Sequence, residues 1–211
     1  MVPKPTPIYH ITDLTNMQSI LDNNGLHCTN VMETKGIRFT DIAYDNIQTR
    51  RSKVRVPLEP LGYLHDYVPF YFAPRSPMLY TINLGNVLQH KKGQGSIIYL
   101  ASTVETVMKA RIPFVFTDGH AAMYYSDFYN SVDNLDQVDW NVMSSRYWND
   151  TDEYPDRKRK RQAEFLVFES FPIHCITEVG VINTNVKLQV DNIFSANSVN
   201  IPVNARLDWY Y

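Results

Sequence analysis

Tyr67-Val68-Pro69-Phe70-Tyr71-Phe72-Ala73-Pro74-Arg75-Ser76-Pro77-Met78-Leu79-Tyr80 is the stretch whose reading decides the fold. Residues 68–73 form an apolar and aromatic run of strand length and read as a buried strand. Arg75-Ser76-Pro77 begins a turn, and a short helix follows over residues 78–82. Upstream, Pro3, Pro5 and Pro7 make a stiff lead-in, and residues 8–12 read as a short strand. Residues 13–24 predict a helix: Leu14, Met17, Ile20 and Leu21 share a face, Asp13 suits the N-cap and Gly25 the stop. Residues 26–38 look polar and irregular. A helical pattern over 42–51 groups Ile42, Ala43 and Ile47 and ends in Arg50-Arg51; with Lys53 and Arg55 this makes a basic cluster.

Downstream, Gly93 and Gly95 mark a turn before a strand over 96–100. A helix over 103–110 is capped by Thr103, and a strand over 114–117 closes on Asp118-Gly119. Residues 120–156 show no clean period but carry Tyr124, Tyr125, Phe128, Tyr129, Trp140, Tyr147 and Trp148, with some helix expected near 127–135 and 139–146. A long, weakly patterned segment inside a compact domain is usually functional. Strands are expected over 165–171, 176–183 and 205–210. Strands alternate with short helices without a strict βαβ rhythm, so the chain reads as a single α+β domain with a mixed, strongly curved or split sheet.

Arg157-Lys158-Arg159-Lys160-Arg161 runs straight into Gln162-Ala163-Glu164-Phe165-Leu166-Val167-Phe168. Five adjacent cations repel one another unless a polyanion binds there. Glu164 stands where they meet an apolar strand. A lone buried carboxylate is costly unless it is paired or used. Its two readings are chemistry on a phosphate-rich ligand and a salt bridge to a local cation.

The 211 residues suffice for one domain with a real core. A formal net charge of −2 gives no global attraction to nucleic acid, so any such affinity must come from local patches. Tyr occurs 14 times and Phe 10 times, enough to furnish both a core and surfaces that stack on flat rings. The two cysteines, Cys28 and Cys175, have no CxxC pattern, which argues against a zinc site and a disulfide scaffold and favours a reducing, cytoplasmic setting. No apolar run approaches the roughly 20 residues of a membrane helix. Walker, GxGxxG, GxSxG and HExxH patterns are missing, which disfavours those chemistries. His174 beside Cys175 makes a poor thiol–base pair, because adjacent strand residues face opposite ways.

Taken singly, His10 reads as a hydrogen-bonded core histidine, and Tyr71, Ser76 and Tyr80 as core or cap. Together, a His on an early strand, a Tyr opening Tyr-Phe-Ala-x-x-Ser-x-x-x-Tyr and a Glu on a late strand resemble the His-Tyr-Glu pattern of ADP-ribosyltransferases, at His10, Tyr71 and Glu164. The resemblance sharpens over Tyr9-His10-Ile11-Thr12, Ile47-Gln48-Thr49-Arg50-Arg51, the block from His65 to Tyr80, Phe114-Val115-Phe116-Thr117-Asp118, Gln162 to Val167 and the terminal Asp208-Trp209-Tyr210-Tyr211. Along nearly its whole length the chain is similar to the DarT family, DNA ADP-ribosyltransferase toxins of bacterial toxin–antitoxin pairs.

That resemblance implies an ADP-ribosyltransferase fold, NAD as donor and a base of single-stranded DNA as acceptor, thymine being the commoner target and guanine the alternative. It implies that His10 anchors the adenosine ribose, that Tyr71 stacks on nicotinamide and that Glu164 engages the nicotinamide ribose. NAD contacts carry over to His10, Ile11, Thr12, Ser19, His27 and Arg51, with Tyr71, Ser76 and Tyr80 as the nicotinamide wall; His27 stands where an apolar residue is expected. Residues of about 35–53 would form an NAD-binding element and about 117–164 a substrate-recognition loop. The family assigns proton abstraction to the position of Arg51. A free guanidinium is a very poor base, so stabilising a developing base anion is the physically favoured role. Arg50, Arg75 and Arg157, Lys158, Arg159, Lys160 and Arg161 would hold phosphates, and Tyr147, Trp148 and Tyr154 would stack on bases. No metal is implied. A cognate macrodomain antitoxin that removes the modification is implied as partner. Two alternatives keep other classes open. The acceptor could be RNA or protein, although Gln162 stands where protein-arginine modifiers carry a second acid. The chain could also be a non-catalytic single-strand-binding module.

Overall fold

The computed structural model describes residues 1–87 and 90–211. Among these residues the strands are β1 (Pro7–Asp13), β2 (Gly25–His27), β3 (Tyr67–Tyr71), β4 (Ile97–Thr103), β5 (Phe114–His120), β6 (Phe128–Tyr129), β7 (Ala163–Phe168), β8 (Ser170–Pro172), β9 (Glu178–Val181) and β10 (Val203–Ala205). The helices are α1 (Met17–Asp22), α2 (Thr29–Lys35), α3 (Asp45–Arg51), α4 (Pro77–Asn83), α5 (Val104–Ala110), α6 (Trp140–Ser144), α7 (Arg157–Lys160) and α8 (Thr184–Ala196).

One sheet runs in the order β10-β9-β4-β1-β3-β7-β5-β6, and β2 pairs with β8 apart from it. β10 and β9 are parallel while the other pairs are antiparallel, so the sheet is mixed as expected. β1 pairs with β4 from Pro7↔Thr103 to Asp13↔Ile97. Against β3 its register narrows to Tyr9↔Tyr71. The sheet therefore splits between β1 and β3, and a cleft opens where these two strands part.

Local chemistry explains the elements. β4 is buried at Ile97, Ile98, Tyr99, Leu100, Ala101 and Ser102, the signature of a central strand covered on both faces. Ser76 caps α4 by accepting the Leu79 N–H at 3.2 Å, with Pro77 in the first turn, and Thr103 caps α5 by accepting the Thr106 N–H at 3.1 Å. Asp13 caps the first helical turn, but Asn24 at φ 58°, rather than Gly25, reverses the chain. Gly25 instead opens β2, so close to β8 that a Cβ would stand 2.2 Å from the Phe171 carbonyl oxygen.

Several stretches depart from the sequence reading. The helix expected near 127–135 gives way to β6 and a 3-10 turn over Val132–Gln137, and the strand expected over 165–171 is broken at Glu169, whose φ is 56°. Residues 26–38 contain β2 and α2. α8 was not anticipated; its buried Val186, Val190 and Phe194 recur at helical spacing, and Asn183 caps it by accepting the Val186 N–H at 3.0 Å. The expected last strand stops at Ala205, because Trp209 and Tyr210 fold down as a lid on the sheet. There the Tyr210 hydroxyl donates to the Ile97 carbonyl at 2.9 Å, and the Trp209 ring occupies the space a Cβ on Gly180 would need. Among the described residues no helix is long and apolar enough to cross a membrane. Both cysteines are free and buried.

Candidate active site

Glu164 lies on β7 directly opposite Tyr71 on β3 and is 3% exposed. Both of its oxygens accept from Arg51 Nη1, at 3.0 and 2.8 Å. Oε1 also accepts the Ala121 N–H at 3.0 Å. A bulge in β5 makes this possible. Between Phe116 and His120 the register slips, and the Glu164 N–H turns to Thr117 Oγ1 at 3.1 Å. Thr117 in turn donates to the Gly119 carbonyl at 2.6 Å. The slip swings the Ala121 amide onto the carboxylate, a usual job for bulges beside reactive groups.

Arg51 closes α3 and is 9% exposed. Its Nη1 is committed to Glu164, while Nη2 is buried without a partner among the described residues. Arg51 lines the cleft, so that donor stands next to the space a ligand would fill. His120 Nδ1 stands 3.7 Å from Glu164 Oε1 but accepts the Ala122 N–H at 3.1 Å. Burial, opposed by Glu164 and reinforced by Arg51 and Arg50, holds the His120 pKa below its ordinary value. It is therefore a neutral imidazole whose Nε2–H is a donor, not an ion-pair partner of Glu164.

The cleft has a volume of about 540 Å³, within the range of ordinary small-molecule sites. β1 supplies His10, Ile11 and Thr12, α1 supplies Ser19, and β2 supplies His27. His10 Nδ1 donates to the Pro69 carbonyl at 2.8 Å, and burial pushes its pKa down. Nε2 is left as a neutral acceptor, suited to a sugar hydroxyl. His27 Nε2 donates to the Asn23 carbonyl at 3.1 Å, leaving Nδ1 buried and unpartnered among the described residues. His27 lines the cleft, at a position where an apolar residue is expected. Burial, with Glu164 nearby, raises the Tyr71 phenol pKa, so the ring stays neutral.

His10, Ile11, Thr12, Ser19, His27, Arg51, Tyr71 and Glu164 are thus gathered around one cleft from six elements. Ser76 and Tyr80 do not line it. The Ser76 hydroxyl is spent on its cap, and Tyr80, 40% exposed, packs edge-on against Trp148 and Tyr211. Met78 of α4 takes their place beside Tyr71. Sequence reading missed Met78, His120, His65, Gln48 and Tyr44, all lining the cleft. His120 was signalled only by its place after Asp118-Gly119. The residues from Ile37 to Arg51 form one wall.

The basic run behaves differently from its sequence reading. Arg159 is buried, giving Nε and Nη2 to Asp156 and Nη1 to Asp118 at 3.0 Å. Arg161 is buried and donates to the carbonyls of Val142, Met143 and Pro74. Lys160 pairs with Asp139 at 3.2 Å, and Arg157 donates to the Tyr147 carbonyl. Only Lys158 is exposed and also lines the cleft. Self-repulsion is relieved mainly by the protein's own carboxylates and carbonyls rather than by a bound polyanion. Residues 117–164 likewise form no open loop, since Leu135, Val138, Val142 and Met143 pack into the core. Trp148 is buried and donates Nε1–H to the Tyr211 hydroxyl at 2.7 Å, so its ring is closed to stacking. Tyr147 and Tyr154 are exposed. Arg50 is exposed, and Arg75, at φ 56°, lies over the Tyr211 ring at 4.8 Å. Among the described residues no cluster of three His, Cys, Asp or Glu could hold a metal.

The family model "ssDNA thymidine ADP-ribosyltransferase, DarT" matches residues 9–211. A DNA ADP-ribosyl transferase of Thermus aquaticus is 42% identical over 99% of this chain and 90% of its own length. The structure of Thermus sp. 2.9 DarT in complex with ADP-ribosylated ssDNA superposes with a TM-score of 0.93 at 41% identity, covering 100% of this chain and 99% of that one. The same protein in complex with NAD+ gives 0.87 at 38% identity, covering 100% of each chain. A fusion protein of Thermosipho africanus, DNA ADP-ribosyl transferase-DNA ADP-ribosyl glycohydrolase, is 29% identical over 96% of this chain and 49% of its own length. The His-Tyr-Glu arrangement, the split sheet and these matches agree: the chain belongs to the DarT family of single-stranded DNA thymidine ADP-ribosyltransferases.

Proposed function

We propose that this protein transfers ADP-ribose from NAD to thymidine in single-stranded DNA and releases nicotinamide. The observation that carries the reading is the buried Glu164–Arg51 pair at the floor of the cleft, with Arg51 Nη2 left unmet. NAD is the donor substrate. His10 Nε2 is an acceptor for one of its hydroxyls, His27 flanks it, and Tyr71 and Met78 offer a flat apolar wall for nicotinamide. The segment of about 35–53 is the NAD-binding element in this reading.

Breaking the bond between nicotinamide and ribose C1 builds positive charge on the sugar, as in glycoside cleavage. Glu164, fixed by Arg51 and the Ala121 amide, supplies negative charge beside that centre without reorganising. Thymine in DNA has one ring N–H, N3. The C1–N3 bond forms as the nicotinamide bond breaks, nicotinamide departs as the neutral ring with the bonding electron pair, and the N3 proton passes to solvent water. Arg51 Nη2 and His120 Nε2–H are donors, so they stabilise charge developing on the thymine carbonyls rather than accept that proton. A base already unpaired enters such a pocket at little cost, which favours single strands over duplex. Lys158, Arg50 and Arg75, with exposed Tyr147 and Tyr154, are the candidates for contacts to the strand; the buried Arg159, Arg161 and Trp148 hold the scaffold that presents them.

The free, buried thiols fit a reducing cytoplasm. The fusion relative carries a DNA ADP-ribosyl glycohydrolase, and we propose a hydrolase of that kind as the antitoxin that reverses the mark. The test is mass detection of adducts on defined single strands incubated with NAD. Thymidine-containing strands gain one ADP-ribose each, strands without thymidine gain none, and Glu164→Ala loses about 10²–10³ in rate or more while strand affinity stays within about tenfold. An adduct on RNA or protein alone, or unchanged turnover in Glu164→Ala, would refute the reading.

A further inference from the structure

We propose that Asn16 is a positioning residue for the donor: it moors the chain between α2 and α3 over the cleft and so sets the affinity for NAD; this rests on the reading proposed above. Residues 37–44 have neither helix nor strand, yet Ile37, Phe39, Asp41, Ile42 and Tyr44 among them line the cleft. Among the described residues, 38–43 make no backbone–backbone hydrogen bond. Side chains of neighbouring elements therefore hold this wall in place. Thr40 is the point of attachment. Its N–H donates to Asn16 Oδ1 at 2.6 Å, and its carbonyl accepts from Asn16 Nδ2 at 3.0 Å. The side-chain amide thus pairs with Thr40 as a neighbouring strand would. Asn16 is buried and stands at the start of α1 as its N-cap residue, where asparagine ordinarily turns its side chain onto the helix. Here it makes no such cap and directs the amide to Thr40 and Thr12 instead. A third bond fixes the threonine side chain. Thr15 has one hydroxyl hydrogen and gives it to Asp13 Oδ1 at 2.6 Å, so Thr40 Oγ1 is the donor in its 2.9 Å contact with Thr15 Oγ1.

The same amide orients a hydroxyl of the cleft. Asn16 Nδ2 donates to Thr12 Oγ1 at 2.9 Å. Thr12 lines the cleft, and among the described residues its own hydroxyl hydrogen has no acceptor, which leaves it for a ligand. One buried amide therefore joins β1 to the opposite wall. Without it, NAD itself must order that wall, and the entropy of ordering is subtracted from binding. The reacting centre is secured separately. At the far end of α3, Arg51 is tied to Glu164, and Gln48 is tied to His65 at 3.2 Å. The loss of Asn16 should thus fall on donor affinity and not on the chemical step.

The experiment measures NAD affinity by calorimetry without DNA, and transfer to a thymidine-containing strand for kcat and both KM values. It uses wild type, Asn16→Ala and Thr40→Val. Asn16→Ala loses the bonds to Thr12 and to both backbone groups of Thr40, so it should raise Kd and KM for NAD about 10- to 50-fold. Its kcat should stay within about threefold and its KM for the strand should not change. Hydrogen exchange over residues 37–44, measured without NAD, should quicken in the same variant. Thr40→Val loses only the bond to Thr15 and should raise Kd about 2- to 5-fold. An unchanged Kd for NAD in Asn16→Ala, or a fall in kcat as large as the rise in KM, overturns the assignment. Should Asn16→Ala fail to fold, Thr40→Val decides, and an unaltered Kd there overturns it. Wild type that binds no NAD overturns the parent reading instead, so the two failures are distinct.

Discussion

Replacing Arg159 with Met separates two accounts of the basic run. In the structure its Nε reaches both Asp156 oxygens at 2.9 and 3.0 Å, its Nη2 reaches Asp156 at 2.7 Å, and its Nη1 reaches Asp118 at 3.0 Å and Ser126 Oγ at 3.2 Å. The Arg159 side chain is 9% exposed, Asp118 18% and Asp156 40%. Breaking a buried pair from one side costs roughly 3–5 kcal/mol. Asp156 can rehydrate and Met keeps the apolar stem, which lowers the expected loss to about 2–3 kcal/mol. For a chain of this size that corresponds to a fall in Tm of roughly 5–10 °C. Thermal unfolding followed by circular dichroism reads the loss, and anisotropy of a labelled single strand across a salt series reads phosphate contacts. Lys158→Ala is the contrast. Among the described residues its ammonium has no hydrogen bond or ion pair; its backbone N–H is held by Asp150 at 2.8 Å and its carbonyl by Gln162 at 3.0 Å, so Tm should stay within about 1 °C, while the salt slope falls by about 0.7. If Arg159→Met kept its Tm and lost salt slope, the argument that this cation is structural would be wrong.

Three further outcomes follow from the same geometry. Arg51→Ala leaves Glu164 buried and unpaired, so the variant should lose about 3–5 kcal/mol of stability together with transfer; Arg51→Lys, offering a point charge in place of a planar fork, should recover most of the stability and little of the rate. Burial lowers the pKa of His10 and, against the pull of Glu164, of His120. The unfolded chain therefore binds more protons below the ordinary histidine range. Stability should rise with pH up to about 6.5 and level off, with a slope of at most about 1.4 kcal/mol per pH unit for each histidine, and His10→Gln should flatten the acid limb in urea titrations between pH 5 and about 6.5. Gly180→Ala places a methyl within 2.3 Å of the Trp209 ring and should displace the C-terminal lid, seen as a change in tryptophan fluorescence and a lower Tm.

Much of the fold was legible because local chemistry and final structure agree. The run through Phe70 and Tyr71, the Ser76 cap on α4 and the Thr103 cap on α5 all announce themselves within a few residues. α8 was equally periodic at Val186, Val190 and Phe194, but its Asn, Gln and Lys background hid a narrow stripe. Ser76 and Tyr80 were expected in the cleft through the family pattern, and the structure gives them a cap and an aromatic stack instead.

What the sequence by itself determined is the chemistry on offer: a histidine on an early strand, an aromatic on a buried one, and an acid at the head of a late one, all within strands of fixed facing. Tertiary structure alone decided how that chemistry is spent. Whether a cation meets DNA or a carboxylate depends on what folds beside it, and Asp118 and Asp139 lie 41 and 21 residues from the cations they neutralise. The approach of Arg51 to Glu164 spans 113 residues, and the Ala121 amide reaches the same carboxylate through a slipped register in β5. No periodicity encodes such a slip, because it arises only when two strands must pair around an amide turned inward to a buried charge.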